Sequence, residues 1–147
     1  MKFNLKIATP ERIVLQEQVD QVSIPTTTGE ITVLPNHLPL ITQISSGDIV
    51  AIIDGEHVPM AVVGGVAHVT GDAVVVLADF ADHVSDLSDD LIQKAKQRAQ
   101  ELMSEKEKVS KEDFEHFEAE LERSLTRVKI ADKWAGKKYR NLGGKIG

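Results

Sequence analysis

The sequence predicts an α+β chain in which an antiparallel β-sandwich or flattened barrel comes first and an antiparallel two-helix hairpin follows. Up to about residue 84, apolar residues recur at every second position or in short Val/Ile blocks bounded by turn residues, as in β-strands. From Asp86 the apolar period changes to about 3.6 residues, as in an α-helix. The 147 residues, 41% of them hydrophobic, suit one soluble globular domain with an appendage.

The changes in period and charge divide the chain into three expected segments. Residues 1–85 form the sandwich, residues 86–135 form the hairpin, and residues 136–147 form a basic tail. The tail has four bases, no acid and four glycines. Because so many glycines argue against a packed element, we expect the tail to be mobile.

The strands of the first segment are bounded by turn residues. The first alternating run covers residues 3–7 and stops before Pro10. Asp54-Gly55 is the strongest hairpin signal, because a tight turn that matches strand twist needs the positive φ that these residue types tolerate. The same reasoning predicts a turn at Thr70-Gly71-Asp72. The pair Gly64-Gly65 indicates either a bulge or a close contact between strands.

Two apolar stripes with helical spacing follow the sheet. Ser88 is the expected cap of the first helix, with Asp89 and Asp90 at the positive end of its dipole. The apolar residues of this stripe are Leu91, Ile92, Ala95, Ala99, Leu102 and Met103. Residues 110–113 restart the helix in a capping-box pattern. The second stripe consists of Phe114, Phe117, Leu121, Leu125 and Val128. Both stripes are narrow, so we expect a hairpin that docks on the sheet and can leave it.

Charge and composition exclude several classes of function. Residues 1–84 carry ten acids and three bases, a balance that repels phosphate backbones, so nucleic acid is not an expected partner. The absence of cysteine excludes thiol chemistry, zinc-thiolate sites and disulfides. The N-terminus lacks a signal-peptide pattern, and the longest apolar run, Ala73 to Ala78, is far shorter than the ~20 residues of a bilayer span.

The histidines give little sign of a metal or catalytic site. No two of the five have the i, i+4 spacing of helical metal-binding motifs. Asp79, Asp82 and His83 form the densest acid–histidine group, but acids at a junction between strand and helix usually cap and solvate. We therefore expect no metal and no catalytic residue.

His37 lies between Pro35 and Pro39, which exclude it from a central strand. It belongs to a turn or a sheet edge. Its imidazole is expected to bond nearby backbone rather than to act as a general base, since no second catalytic partner lies within reach in the sequence.

Three motifs and their order carry a family resemblance. Gly29-Glu30-Ile31-x-x-Leu34-Pro35-x-His37 is followed by Gly64-Gly65-Val66, by Val75-Val76-Leu77-Ala78-Asp79 and then by a charged helical hairpin. Over residues 1 to about 133, the chain is similar to the epsilon subunits of bacterial F-type, proton-translocating ATP synthases. The resemblance implies a non-catalytic rotor subunit of the central stalk, in a complex that couples proton flow to ATP synthesis. It also implies a peripheral position at the cytoplasmic face of the cell membrane, with membrane contact only through the complex.

The resemblance implies three partners. The sandwich would contact the gamma subunit and the c-subunit ring, and the extended hairpin would reach the alpha/beta catalytic head and restrain ATP hydrolysis. The implied rotor-interface residues are Gly29, Leu34, Pro35, His37 and Pro39. The implied contacts with the catalytic head are Arg123, Arg127, Lys129 and Lys133.

Some members of the family bind ATP between the two helices through a motif of the form Ile/Leu-Asp-x-x-Arg-Ala. The matching stretch here, Leu87-Ser88-Asp89-Asp90-Leu91-Ile92, lacks that acid and that arginine. Because each charged hydrogen bond contributes ~1.5–3 kcal/mol, losing two weakens such a site by several kcal/mol. We expect weak or no ATP binding and no other cofactor. The remaining nucleotide contacts would be Asp89, Arg98, Arg123 and Arg127.

Two other functional hypotheses belong to different classes. A free-standing ATP-sensing module would close its hairpin on nucleotide, and micromolar ATP affinity would favour it. A small hydrolase would use Asp79, Asp82 and His83, and would need activity that His83→Ala abolishes. Neither hypothesis explains why a sheet domain carries a detachable amphipathic hairpin.

Overall fold

The structure is a computed structural model that describes residues 1–142, which contain eight β-strands and two α-helices. The strands are β1 (Phe3–Ala8), β2 (Ile13–Val19), β3 (Gln21–Thr26), β4 (Gly29–Val33), β5 (Leu40–Gln43), β6 (Gly47–Ile53), β7 (Glu56–Val69) and β8 (Ala73–His83). The helices are α1 (Asp89–Glu105) and α2 (Phe114–Trp134), and single-turn 3₁₀ helices cover Val84–Asp86 and Lys106–Lys108. The predicted fold class, a β domain followed by a helical hairpin, is confirmed.

The strands pair in the order β2-β1-β8-β7-β6-β3-β4, and β5 pairs with β7 beside β6. The first part of β7 pairs with β6, and its last four residues, Val66–Val69, pair with β5. All of these pairs are antiparallel except β1 with β8, which are parallel. The alternation pattern did not predict this parallel pair, because alternation identifies strands but not their partners. Among the described strands, β2 and β4 end the path without pairing to each other, so the sheet is open.

The glycine pair lets β7 and β8 approach closely. A Cβ atom at Gly65 would lie 2.2 Å from the carbonyl oxygen of Leu77, and Gly65 has φ of +118°. The pairing keeps its register from Val63 opposite Phe80 to Gly65 opposite Ala78. Of the two predicted readings, the close strand contact is therefore confirmed and the bulge is wrong.

The core of the sheet domain consists of inward-facing aliphatic side chains. Leu5, Ile7, Ile24 and Ile49 are completely inaccessible to solvent. In β1, Leu5 and Ile7 alternate with exposed or half-buried residues, which is why the sequence shows a period of two. Burial of this many aliphatic groups is the main stabilising contribution to the domain.

Both predicted turns are confirmed. Asp54 and Gly55 have φ of +52° and +80° and join β6 to β7 in a two-residue turn. Between β7 and β8, the Thr70 amide donates to the carbonyl oxygen of Ala73 at 2.8 Å. Each turn fixes the register of the hairpin that it closes.

The ends of the helices follow the sequence only in part. The Ser88 hydroxyl oxygen accepts a hydrogen bond from the Leu91 amide at 3.2 Å, so the predicted cap of α1 is confirmed. The predicted capping box at residues 110–113 does not cap α2. The Ser110 hydroxyl accepts from the Asp113 amide at 3.3 Å, but α2 begins only after Asp113, which makes no side-chain capping bond.

Residues 136–142 contact the sheet domain rather than extending away from it. The Arg140 amide donates to the carbonyl oxygen of His57 at 2.7 Å, and Leu142 packs against the sheet core. The expectation of a mobile tail does not account for these contacts. It is based on the number of glycines and does not consider the large side chains of Tyr139 and Leu142. The rest of the predicted tail, residues 143–147, lies outside the described residues.

Candidate functional site

The turn between β4 and β5 presents apolar side chains on a fixed backbone. Leu34 is 53% exposed and Leu38 is 80% exposed. The Asn36 amide donates to the carbonyl oxygen of Gly71 at 3.1 Å, which ties this turn to the neighbouring β7–β8 turn. His37 Nδ1 lies 2.7 Å from the Leu38 carbonyl oxygen, which confirms the prediction that this imidazole bonds nearby backbone. The result is a preformed apolar protrusion.

Gly29 lies apart from the other predicted rotor-interface residues. It has φ of +123° and closes the β3–β4 turn opposite Thr26. The strand β4 separates it from Leu34, and five residues of β-strand span about 16 Å. The structure therefore groups Leu34, Pro35, His37 and Pro39 in one turn and places Gly29 at the opposite end of β4.

An exposed apolar strip, defined as Ile41, Val66 and Leu77, crosses the outer face of β5, β7 and β8. Their exposed fractions are 69%, 41% and 60%. Val66 lies opposite Leu77 in the register, and Ile41 is two positions from the residue opposite Val66. Sequence reasoning missed this strip. The unbroken apolar run at residues 73–78 was its signal, since such a run makes both faces of a strand apolar.

Two arginines of α2 lie against β8 in an arrangement that we call the arginine cradle, consisting of Phe80, Asp82, Arg123 and Arg127. Arg127 Nε donates to Asp82 Oδ2 at 2.9 Å. The guanidinium carbons of Arg123 and Arg127 lie 4.4 and 4.7 Å from the centre of the Phe80 ring, within the range of cation–π attraction. Arg12 approaches the other oxygen of Asp82 at 3.8 Å. The cradle holds two basic residues of the hairpin on the sheet domain.

The end of α2 makes a second contact with the sheet. Asp48 of β6 is 9% exposed and accepts hydrogen bonds from Lys133 Nζ at 3.0 Å and from Trp134 Nε1 at 2.8 Å. Of the four predicted head-contacting bases, Arg123, Arg127 and Lys133 therefore lie against the sheet. Lys129 is exposed beside Leu125 on the outer side of α2.

The acid–histidine group predicted as a weak catalytic candidate is not assembled. His83 is 2% exposed, and its Nε2 lies 2.7 Å from the carbonyl oxygen of Val14. Asp82 precedes His83 in β8. Because successive strand residues point to opposite faces, Asp82 faces away from His83, and it pairs with Arg127 instead. Within residues 1–142, no three histidine and acidic side chains are placed to hold a metal ion.

The four residues named as nucleotide contacts do not converge on one point. Arg98 Nε donates to Glu120 Oε1 at 2.7 Å, a contact between α1 and α2. This hydrogen bond, together with the opposite charge, raises the pKa of Arg98 and lowers the pKa of Glu120. Arg123 and Arg127 point to Phe80, and Asp89 begins α1, about 13 Å along the helix from Arg98.

Neither α-helix in residues 1–142 combines the length and the apolar character that a membrane-spanning helix needs. The buried apolar side chains of α1 lie on one stripe, whereas Met103, Phe114 and Leu125 of the predicted stripes are exposed among charged and polar residues.

Comparisons with known proteins give a consistent family assignment. The family described as "ATP synthase, Delta/Epsilon chain, beta-sandwich domain" matches residues 2–84. The ATP synthase epsilon chain of Nitratidesulfovibrio vulgaris (strain DP4) is 38% identical over 129 residues, which are 87% of this chain and 94% of the relative. The epsilon chain of Dehalococcoides mccartyi (strain BAV1) is 39% identical over 132 residues, which are 90% of this chain and 94% of the relative.

Solved structures show the same fold at lower sequence identity. A chain of the Euglena gracilis mitochondrial ATP synthase, solved as OSCP/F1/c-ring, has a TM-score of 0.71 and 21% identity, covering 88% of this chain and 81% of its own. A chain of the Tetrahymena thermophila mitochondrial ATP synthase central stalk and c-ring has a TM-score of 0.54 and 12% identity, with coverages of 90% and 96%.

Proposed function

Because the chain belongs to the family of ATP synthase epsilon chains, we propose that its sheet domain binds the rotor and that its hairpin restrains ATP hydrolysis. The chain is a non-catalytic subunit of the synthase and is part of its central stalk. In this role it helps to couple proton flow through the membrane rotor to ATP synthesis. It lies at the cytoplasmic face of the membrane as a peripheral part of the complex.

Two exposed surfaces of the sheet domain are available for the rotor. The turn of Leu34, Pro35, His37 and Pro39 would contact the c-subunit ring, since it protrudes and its backbone is fixed by the bond from Asn36 to Gly71. The apolar strip of Ile41, Val66 and Leu77 would contact the gamma subunit. An apolar patch that crosses three strands of a soluble domain is typical of a protein–protein interface.

The restraint of hydrolysis is proposed to depend on the same basic residues that dock the hairpin. In the docked form, Arg123 and Arg127 are held by Phe80 and Asp82. When the hairpin extends, these guanidiniums and the ammonium groups of Lys129 and Lys133 can meet acidic surfaces of the alpha/beta catalytic head. The arginine cradle is the observation that carries this proposal, because a guanidinium cannot occupy both positions at once.

The test uses two substitutions in one ion pair, in full-length chain reconstituted into the complex. Asp82→Asn weakens docking but keeps every base of α2, so ATP hydrolysis falls. Arg127→Gln breaks the same ion pair but also removes a head contact, so ATP hydrolysis should be higher than with Asp82→Asn. Glu17→Gln, on the exposed part of β2, and Arg98→Gln, which acts within the hairpin, are the matched controls. If the two cradle variants gave the same rate of hydrolysis, the proposed competition between docking and restraint would be wrong.

The rotor contact has a separate test. Leu77→Asp places a charge in the apolar strip and abolishes co-elution of the full-length chain with the gamma subunit. Leu125→Asp, at a 47% exposed site on α2, leaves co-elution unchanged. Undiminished co-elution of Leu77→Asp would show that gamma binds elsewhere.

Nucleotide binding is proposed to be weak or absent, since Arg98 is paired with Glu120 and the two other arginines lie against Phe80. Calorimetry of the full-length chain with ATP should show no micromolar binding. Micromolar affinity would instead favour an ATP-sensing module.

A further inference from the structure

The chain reverses direction after α2 and returns to the sheet. The helix ends at Trp134, Gly136 adopts φ of +75°, and the Lys137 amide donates to the Trp134 carbonyl oxygen at 3.1 Å. Residues 135–142, which we call the strap, then run beside the β6–β7 hairpin, where the Arg140 amide bonds the carbonyl oxygen of His57. The left-handed backbone at Gly136 permits this reversal without the strain that a Cβ atom would cause there.

Trp134 is enclosed where the strap and the sheet meet. Its side chain is 7% exposed. The ring of Tyr139 stands edge-on to the indole at 6.1 Å between centroids, and the ring of His57 lies 5.8 Å away. Ala61, Val84 and Ile130 belong to the same buried cluster, and Val50 and Leu87 pack against it. A side chain of the hairpin is therefore covered both by Tyr139 of the strap and by residues of the sheet domain.

Asp48 gives this contact its charge. Its carboxylate is 9% exposed, and Oδ2 accepts the indole N–H of Trp134 at 2.8 Å. The ammonium of Lys133 lies 3.0 Å from Oδ1 and 2.9 Å from Oδ2. Both donors are in the last turn of α2. Charge-assisted hydrogen bonds at a shielded carboxylate are stronger than exposed ion pairs, such as the pair of Lys2 with Asp54.

We propose that Asp48, Trp134 and the strap form a latch that sets the ratio of docked to detached hairpin. The latch is separate from the arginine cradle, because it holds the C-terminal end of α2 and uses β6 instead of β8. Its effect on docking stands by itself. Its effect on ATP hydrolysis rests on the proposed function, since only a hairpin that restrains hydrolysis would transmit latch opening to the catalytic head.

The lack of cysteine in the chain allows a direct measurement of detachment. Thr126 is 6% exposed and lies one helical turn before Ile130, on the face of α2 that meets the sheet. In a Thr126→Cys chain, the rate of thiol labelling reports how often the hairpin lifts. A Val76→Cys chain, with its thiol in the sheet core, reports global unfolding instead.

Asp48→Asn removes the charge that both donors bind, and should raise the labelling rate at position 126 roughly tenfold or more. Trp134→Phe removes the indole N–H and the five-membered ring while Lys133 keeps its bond to Asp48, and should also raise it. Tyr139→Ala, which uncovers one side of the indole, should also raise it. Asp54→Asn is the matched control, because it removes a carboxylate with an exposed lysine partner from the same β6–β7 hairpin.

Labelling at position 126 that stays at the control rate in Asp48→Asn and Trp134→Phe would overturn the latch. An equal rise at positions 126 and 76 would also overturn it, because the substitutions would then destabilise the whole sheet. Faster labelling with lower hydrolysis by the reconstituted complex would support both the latch and the restraint. Faster labelling with unchanged hydrolysis would support the latch and contradict the restraint.

Discussion

The sheet domain and the hairpin are held together by different physical means. The sheet core is one cluster of 22 buried hydrophobic residues, which come from every strand except β5 and from the residue after it. The cluster under α2 has four buried members, and only Ile130 and Trp134 of these belong to the hairpin. Val50, Leu87 and Tyr139 pack against this cluster. The polar part of the docking contact consists chiefly of the bonds to Asp82 and Asp48. The sheet is thus stabilised mainly by apolar burial, and the docking of the hairpin depends strongly on charge.

This difference assigns different roles to the two regions. A large apolar core unfolds as one cooperative unit, so the sheet provides a rigid mount. A small apolar contact with a few charged bonds can open locally while the rest of the structure stays folded. The hairpin can then leave the sheet when a partner offers its basic residues contacts that replace those with Asp82 and Asp48.

The largest expected effect concerns the rigidity of the mount. Gly65→Ala should lower the free energy of unfolding by at least about 3 kcal/mol, because φ of +118° and a backbone oxygen 2.2 Å from the new Cβ both oppose it. Urea unfolding measures this change. Gly71→Ala is the control, since the site is open and its φ is ordinary. Equal midpoints for the two variants would show that the close β7–β8 approach contributes nothing to the sheet.

The next effect separates the two regions directly. Ile7→Ala, in the sheet core, should lower the free energy of global unfolding by about 2–5 kcal/mol. Ile130→Ala removes a comparable side chain from the docking cluster and should leave global unfolding nearly unchanged, because the sheet core does not include it. It should instead accelerate thiol labelling at Thr126→Cys. A matching loss of global stability in both variants would mean that hairpin and sheet form one unit.

The smallest effect lies within the hairpin. The hydrogen bond and charge of Arg98 hold the pKa of Glu120 below its ordinary 4.5. The resulting stabilisation of α1 on α2 is complete above that ordinary value and is lost as pH falls through the lowered pKa of the folded state. The pair is half exposed, so solvent screening should make this the smallest of the three effects.

Helicity of the hairpin followed by NMR from pH 6 to pH 2, with Glu120→Gln as the control, measures this contribution. In the control, the loss of hairpin helicity at low pH should be smaller, because the substituted glutamine has no carboxyl group to protonate. If acid-induced loosening were identical in the control, the Arg98–Glu120 bond would not contribute to hairpin packing.

The sequence predicts the features that local chemistry determines. The period of two in β1, the positive φ of Asp54 and Gly55, and the cap at Ser88 each depend on residues close together in the chain. The parallel pairing of β1 with β8 depends instead on residues about 70 positions apart, which no local pattern encodes.

The candidate site is less predictable for the same reason. The resemblance named Arg123, Arg127 and Lys133, but their partners Phe80, Asp82 and Asp48 come from strands far away in the sequence. The bond from Trp134 to Asp48 joins residues 86 positions apart. The strap was missed because it was treated as one segment with residues 143–147, which hold three of the four glycines of the tail.

Native-state hydrogen exchange, followed residue by residue in increasing denaturant, shows whether the hairpin opens independently of the sheet. We expect the amides of α2 to open with a lower free energy than those of β7 and β8, and Asp48→Asn to lower only the α2 values. A single opening free energy shared by α2, β7 and β8 would contradict this expectation, because hairpin and sheet would then separate only when the whole chain unfolds.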